Sequence, residues 1–231
     1  NNRRGLLSAL DQGLNLDSNQ TLASMNDFQR QAFDLLTSNN AQKAFKLSEE
    51  PDSVRDRYGR NIYGQSVLLA RRLIEANTRV VTMSWAPDAN ATWDSHGQNF
   101  NKLKNQLLPQ FDAACSSLIT DLAERGMLQR TLVAVLGDFG RTPKINNNAG
   151  RDHWNSCYSI MLAGGGIKPG FVLGASDRSG AVPTHSPVSP GDIVATMYHL
   201  LGIDHQHLIY DTLNRPHTVV PEARLVPEIM A

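Results

Sequence analysis

Apolar positions recur at helical spacing through Leu22, Met25, Phe28, Ala32 and Leu35-Leu36, and again through Ile62, Val67, Leu69, Leu73 and Ile74. Between these stretches, Glu50-Pro51-Asp52 predicts a break followed by a proline-started helix. No strand pattern interrupts the first 76 residues, which read as a helical layer or cap. The pattern changes at Thr78. Residues 79–85, Arg-Val-Val-Thr-Met-Ser-Trp, are short, β-branched and apolar, as in a buried strand. Residues 100–125 predict a long amphipathic helix through Leu103, Leu107, Phe111, Ala114, Leu118 and Leu122, interrupted in its first third by Pro109 and closed by Gly126. A second strand is expected over 131–137, a continuous apolar run ending at Asp138. A third, over 158–163, runs into Gly164-Gly165-Gly166, and a short Phe171-Val172-Leu173 follows. The helix over 190–201 has Ser189 as its N-cap.

Alternation of strand and helix at this spacing predicts an α/β fold with a parallel sheet and right-handed crossovers. The expected organisation is a helical segment or cap over 1–77 and an α/β domain over 78–231, joined as one continuous domain. Ligand sites in such sheets lie beyond the carboxyl ends of the strands. The absence of an initiating methionine suggests a processed chain or a piece of a longer one.

Composition narrows the classes of function. The 22 Lys+Arg balance 22 Asp+Glu, so a nucleic-acid-coating surface has no electrostatic driving force. With 41% hydrophobic residues the chain is expected to fold as an ordinary globular protein. No apolar run approaches the roughly 20 residues that span a bilayer, so no membrane insertion is expected. Cys115 and Cys157 lack the spacing of a disulfide framework or structural zinc site.

Three polar clusters fall just past the predicted strand ends. They are Trp93-Asp94-Ser95-His96-Gly97, Asp138-Phe139-Gly140-Arg141-Thr142-Pro143 and Gly150-Arg151-Asp152-His153-Trp154. Carboxylates and imidazoles suit Zn²⁺, Mn²⁺ or Fe²⁺, and guanidinium groups bind the oxyanion that such a metal polarises. Arg141 and Arg151 read equally well as oxyanion clamps or as ion-pair partners that fix the loops. Asp152 either ligates directly or orients the adjacent His153 imidazole.

The stretch 136–146, Leu-Gly-Asp-Phe-Gly-Arg-Thr-Pro-Lys-Ile-Asn, followed by Ala149-Gly150-Arg151-Asp152-His153-Trp154 and by Leu162-Ala163-Gly164-Gly165-Gly166-Ile167, resembles a bacterial family abundant in planctomycetes, the domain of unknown function 1501 family. Glu50-Pro51, Arg57-Tyr58-Gly59, Ala70-Arg71-Arg72-Leu73 and Trp93-Asp94-Ser95-His96 extend the resemblance over nearly the whole chain. That family is similar to the sulfatases of the alkaline phosphatase superfamily. The resemblance implies the parallel-sheet sandwich of that superfamily, here its C-terminal part. It also implies one or two divalent ions, Zn, Mn, Fe or Ca, and hydrolysis of a phosphate or sulfate ester carried by a small molecule or glycan. By position, Asp94, His96 and His153 look like the ligands of one metal, and Asp138 looks like the carboxylate of a second. Arg141, Arg151 and Asp152 are the implied catalytic side chains. Two departures are visible: Phe139 stands where the superfamily often has His, and the Asp94/His96 pair is more closely spaced than usual. A catalytically silent relative, or an interaction protein, is the rival reading. Export is implied by the resemblance alone.

Other candidates read as structural. Gly164-Gly165-Gly166 is a tight strand exit, His199 a packed or boundary residue, and Cys157 an inert packing thiol. His185, His205, His207 and His217 are expected to face solvent, and Ser95 is a nucleophile by location only.

Overall fold

A computed structural model describes residues 39–85 and 93–231. The helix expected through Leu22 to Leu36 lies outside the described residues. Helices α1 (Asn39–Phe45), α2 (Asp52–Tyr58) and α3 (Ile62–Glu75) come first. Glu50-Pro51 does break the chain, and α2 starts immediately after it. Asn61 begins α3 by accepting the N–H groups of Tyr63 (3.1 Å) and Gly64 (2.9 Å), which satisfies two donors left open at a helix start.

The long amphipathic helix is present in three joined pieces: α4 (Asn99–Lys102), a π-helical turn (Leu103–Leu107) and α5 (Leu108–Glu124). Pro109 has no N–H for the carbonyl four residues back. Just before it, the Leu108 N–H reaches the carbonyl of Leu103, five residues back, so the chain widens there without breaking. Tyr58, Val67, Leu68 and Ala114 form the apolar centre where α2, α3 and α5 meet, with Leu47, Val54, Met83, Trp85 and Leu118 packed around it.

One charged side chain lies inside this helical core. The Arg71 side chain is fully buried and pairs with Glu50 (2.8 Å), Glu75 (2.6 Å) and Asp121 (2.9 Å). Asp121 also accepts from the Tyr58 hydroxyl (3.0 Å) and from Arg125 (2.7 Å), while Arg72 pairs with Glu50. Burial alone would raise the carboxyl pKa values of Glu50 and Asp121, but the surrounding guanidinium groups win and both are lowered. Burial and the Asp121 charge together raise the Tyr58 phenol.

The sheet differs from expectation. β1 (Val133–Val135) pairs antiparallel with β4 (Met161–Ala163), with Val133 opposite Ala163 and Val135 opposite Met161. β2 (Gly140–Arg141) and β3 (His153–Trp154), β5 (Ala175–Ser176) and β6 (Pro183–His185), and β7 (Leu208–Tyr210) and β8 (Pro216–Thr218) form three more two-stranded antiparallel pairs. The parallel-sheet sandwich of the alkaline phosphatase/sulfatase type is therefore overturned: the architecture is mixed helices and short antiparallel hairpins. The reason is local. A parallel pair needs a long crossover, usually helical. The connection from β1 to β4 holds only the β2–β3 pair and returns the chain in the opposite direction.

Residues 78–85 run as irregular chain without a ladder partner among the described residues, and Val172 of the expected 171–173 strand is 85% exposed. Both segments have strand composition, but β-propensity expresses itself only against a neighbouring strand. Past β4, Gly164, Gly165 and Gly166 all have positive φ, and a Cβ on Gly164 would stand 2.4 Å from the Leu128 carbonyl oxygen, so the strand exit needs glycine.

Helix α6 (Pro190–Leu200) starts in a capping box: the Asp192 N–H donates to Ser189 Oγ (3.1 Å) and the Ser189 N–H to Asp192 Oδ2 (3.0 Å). His199 on this helix is exposed. His205, expected at the surface, is buried, and its carbonyl accepts the Val220 N–H (3.0 Å).

Candidate metal centre

An aromatic cluster fixes the entry to the site. Trp85 stacks on Tyr63 (centroids 4.6 Å apart), and Trp85, Trp93 and Phe111 meet edge to face at 5.9–6.4 Å. Each such pair contributes about 0.5–1.5 kcal/mol, so the residue preceding Asp94 is tied to α3 and α5. The next residue but one, Ser95, is buried; its hydroxyl donates to Asn99 Oδ1 and its carbonyl accepts the Arg151 N–H (3.1 Å). Ser95 thus joins two loops rather than presenting a nucleophile.

The second loop is clamped by the β2–β3 pair, in which Arg141 lies opposite His153. Thr142 and Asp152 exchange bonds, Thr142 N–H to the Asp152 carbonyl (2.9 Å) and Asp152 N–H to Thr142 Oγ1 (3.1 Å). The loops touch at Gly150, where a Cβ would stand 2.0 Å from the His96 carbonyl oxygen. Only glycine admits that approach.

This packing brings Asp94, His96 and His153 together. Asp94 Oδ1 lies 3.1 Å from His96 Nε2 and 2.9 Å from His153 Nε2, and the two imidazole nitrogens are 3.1 Å apart. The three side chains are each about half exposed, at 47–51%. One nitrogen or oxygen atom from each lies within 4.8 Å of the other two. Separations near 3 Å are those of neighbouring ligands around one small cation with bonds of about 2.0–2.2 Å. The residues present therefore fit a single divalent ion.

The surroundings orient these three side chains. His96 Nδ1 sits 2.7 Å from Asp152 Oδ1. Arg141 Nη2 donates to Asp94 Oδ1 (2.5 Å) and the Trp93 carbonyl (3.2 Å), and its Nη1 to the Arg151 carbonyl (3.2 Å). The hydrogen bond from His153, with Arg141 behind it, lowers the Asp94 carboxyl to about 2. The His96 contact, then the Asn146 amide, lowers Asp152 as well. Both are carboxylates at neutral pH. The Phe139 ring lies on His153 at 4.3 Å.

The remaining candidates are placed differently. Asp138 is exposed and does not belong to the group of three. Asp152 faces His96 across the loops rather than its neighbour His153. The Nε of Arg151 is buried and has no hydrogen-bond partner among the described residues. Sequence reasoning passed over Asn146 and Thr142, which knit this loop. The signal for Asn146 was local: an Asn-rich run ending in Gly150, the composition of a turn closed by an Asn side chain.

Fold and site together define a mixed α/β protein carrying a surface Asp/His cluster. Its sequence matches the family described as protein of unknown function (DUF1501) over residues 2–230, and the chain belongs to that family. No curated protein and no solved structure matches it.

Proposed function

We propose that Asp94, His96 and His153 hold one divalent cation and that the protein uses this site to hydrolyse phosphate or sulfate esters. The observation that carries the reading is the meeting of one carboxylate oxygen and two imidazole nitrogens at mutual distances of 2.9–3.1 Å, drawn from two loops 57 and 59 residues apart. A divalent ion held there would supply polarisation of an ester oxygen and a water nucleophile at neutral pH. Half-exposed ligands leave room for that water and for a substrate. Asp94 supplies charge, His96 and His153 supply imidazole nitrogen, and Arg141 fixes Asp94 instead of clamping substrate. Arg151 is the guanidinium left to bind an oxyanion.

Turnover of p-nitrophenyl phosphate and p-nitrophenyl sulfate by the purified chain with added Mn²⁺ or Zn²⁺ tests the reading. Release of p-nitrophenol that falls at least tenfold in Asp94→Ala supports it. Metal binding with no turnover of either ester leaves the second reading, a catalytically silent metal-stabilised relative. The position of Asp138 outside the group and the Phe139 ring tilted against His153 favour that second reading.

A further inference from the structure

We infer that the outer edge of β7 is a self-pairing surface, on which a second copy of the chain adds its own β7 about a two-fold axis at Ile209. The inference is independent of the metal reading. In the β7–β8 hairpin, Leu208 lies opposite Thr218, Ile209 opposite His217 and Tyr210 opposite Pro216. The Val219 N–H donates to the His207 carbonyl (3.1 Å) and the Asp211 N–H to the Arg215 carbonyl (3.1 Å). Hydrogen-bonded and non-bonded pairs alternate along an antiparallel ladder, so Ile209/His217 is the bonded pair between them. The N–H and C=O groups of Leu208 and Tyr210 therefore point away from β8, where no strand among the described residues meets them. The outer edge of β8 is different. Pro216 stands at an outward-facing position with no N–H to offer, which blocks that edge. Of the two edges, β7 alone presents a complete row of donors and acceptors.

That row is self-complementary. Antiparallel pairing centred on Ile209 sets Leu208 of one copy opposite Tyr210 of the other, and every outward N–H and C=O of β7 finds its counterpart. The two hairpins become one continuous sheet. The side chains agree with this register. Leu208, Ile209 and Tyr210 are 47%, 52% and 61% exposed, an apolar run that a lone hairpin leaves in water on both faces. Pairing packs Leu208 against Tyr210 on one face and Ile209 against Ile209 on the other. Charge is complementary as well. The exposed His207 of one copy falls opposite Asp211 of the other, which its own Arg215 holds from the turn side (2.6 Å). An imidazole N–H donor meets a carboxylate, and no like charges face each other. The two-fold match of hydrogen bonds, apolar side chains and charge selects a second copy as the occupant.

The test is sedimentation equilibrium of the full chain over a range of concentration, with melting temperature as the control for folding. Wild type is expected to pass reversibly from monomer to dimer as concentration rises. Ile209→Lys sets two ammonium groups together at the axis, and Leu208→Pro removes an outward N–H while sparing the ladder to β8. Each is expected to raise the dimer Kd about tenfold or more, with the melting temperature of the dilute chain unchanged. His207→Glu should raise the Kd and His207→Lys should lower it, opposite effects that loss of apolar contact alone would not produce. Should Leu208→Pro fail to fold, Ile209→Lys and the His207 pair carry the decision. A chain that stays monomeric throughout overturns the inference, and so does a dimer unmoved by Ile209→Lys, which would use another face.

Discussion

The helical core and the loop corner each gather carboxylates around basic groups, and they differ in what encloses those charges. In the core, Arg71, Glu50 and Asp121 are almost wholly shielded from water, and α2, α3 and α5 pack around them. In the corner, Asp94, His96 and His153 stand half in solvent, held by Asn146, Asp152 and Arg141 from behind. A buried ion network is weak evidence for stability in itself, yet breaking one side of it is costly. An exposed cluster contributes little to stability, so its orienting shell calls for another explanation. Enclosure thus separates charges shielded by the helical scaffold from charges that reach solvent.

Changes in the two regions should have distinct signatures. Arg71→Met leaves Glu50 and Asp121 buried without their shared cation and should lower stability by about 3–5 kcal/mol, read by urea denaturation. Gly150→Ala forces a methyl against the His96 carbonyl. It should cost about 1–3 kcal/mol and abolish whatever the corner binds, read by calorimetry beside Co²⁺ titration. Either substitution producing the other's pattern would break the distinction.

Smaller effects sharpen it. Glu50 and Asp121 have lowered carboxyl pKa values in the folded chain, so they bind fewer protons there than when unfolded. Their contribution is complete above the unfolded values, near 4, and is lost as pH falls through the lowered folded values. Melting temperature should drop from about pH 5 downward, and Glu50→Gln should flatten that limb. Away from both regions, Ser189→Ala removes the α6 cap and should cost about 1 kcal/mol, with no effect on the corner.

The helices were legible because their signals are local. The break at Pro51, the widened turn before Pro109 and the Ser189 cap are all written within a few neighbouring residues. The sheet was not, because strand composition at 131–137 and 158–163 does not encode direction, and the hairpin connection between them decided it. Residues 79–85 and 171–173 show the same gap, having strand character without a paired neighbour among the described residues. At the site, the family resemblance pointed by position to Asp94, His96 and His153, and the structure brings these three side chains together. The roles of their neighbours depended on contacts across 47 to 59 residues, which put Arg141 on Asp94 and Asp152 on His96. His205 was misread because the polarity of its neighbours in sequence does not report its burial in the fold.

The most direct measurement is the metal content of the purified chain after exchange into metal-free buffer and reloading with Zn²⁺ or Mn²⁺, with His153→Ala and Arg71→Lys alongside. The account predicts one ion per wild-type chain, loss of the ion in His153→Ala, and retention in folded Arg71→Lys. Wild-type chain that stays metal-free, or an ion that survives the loss of His153, would contradict it.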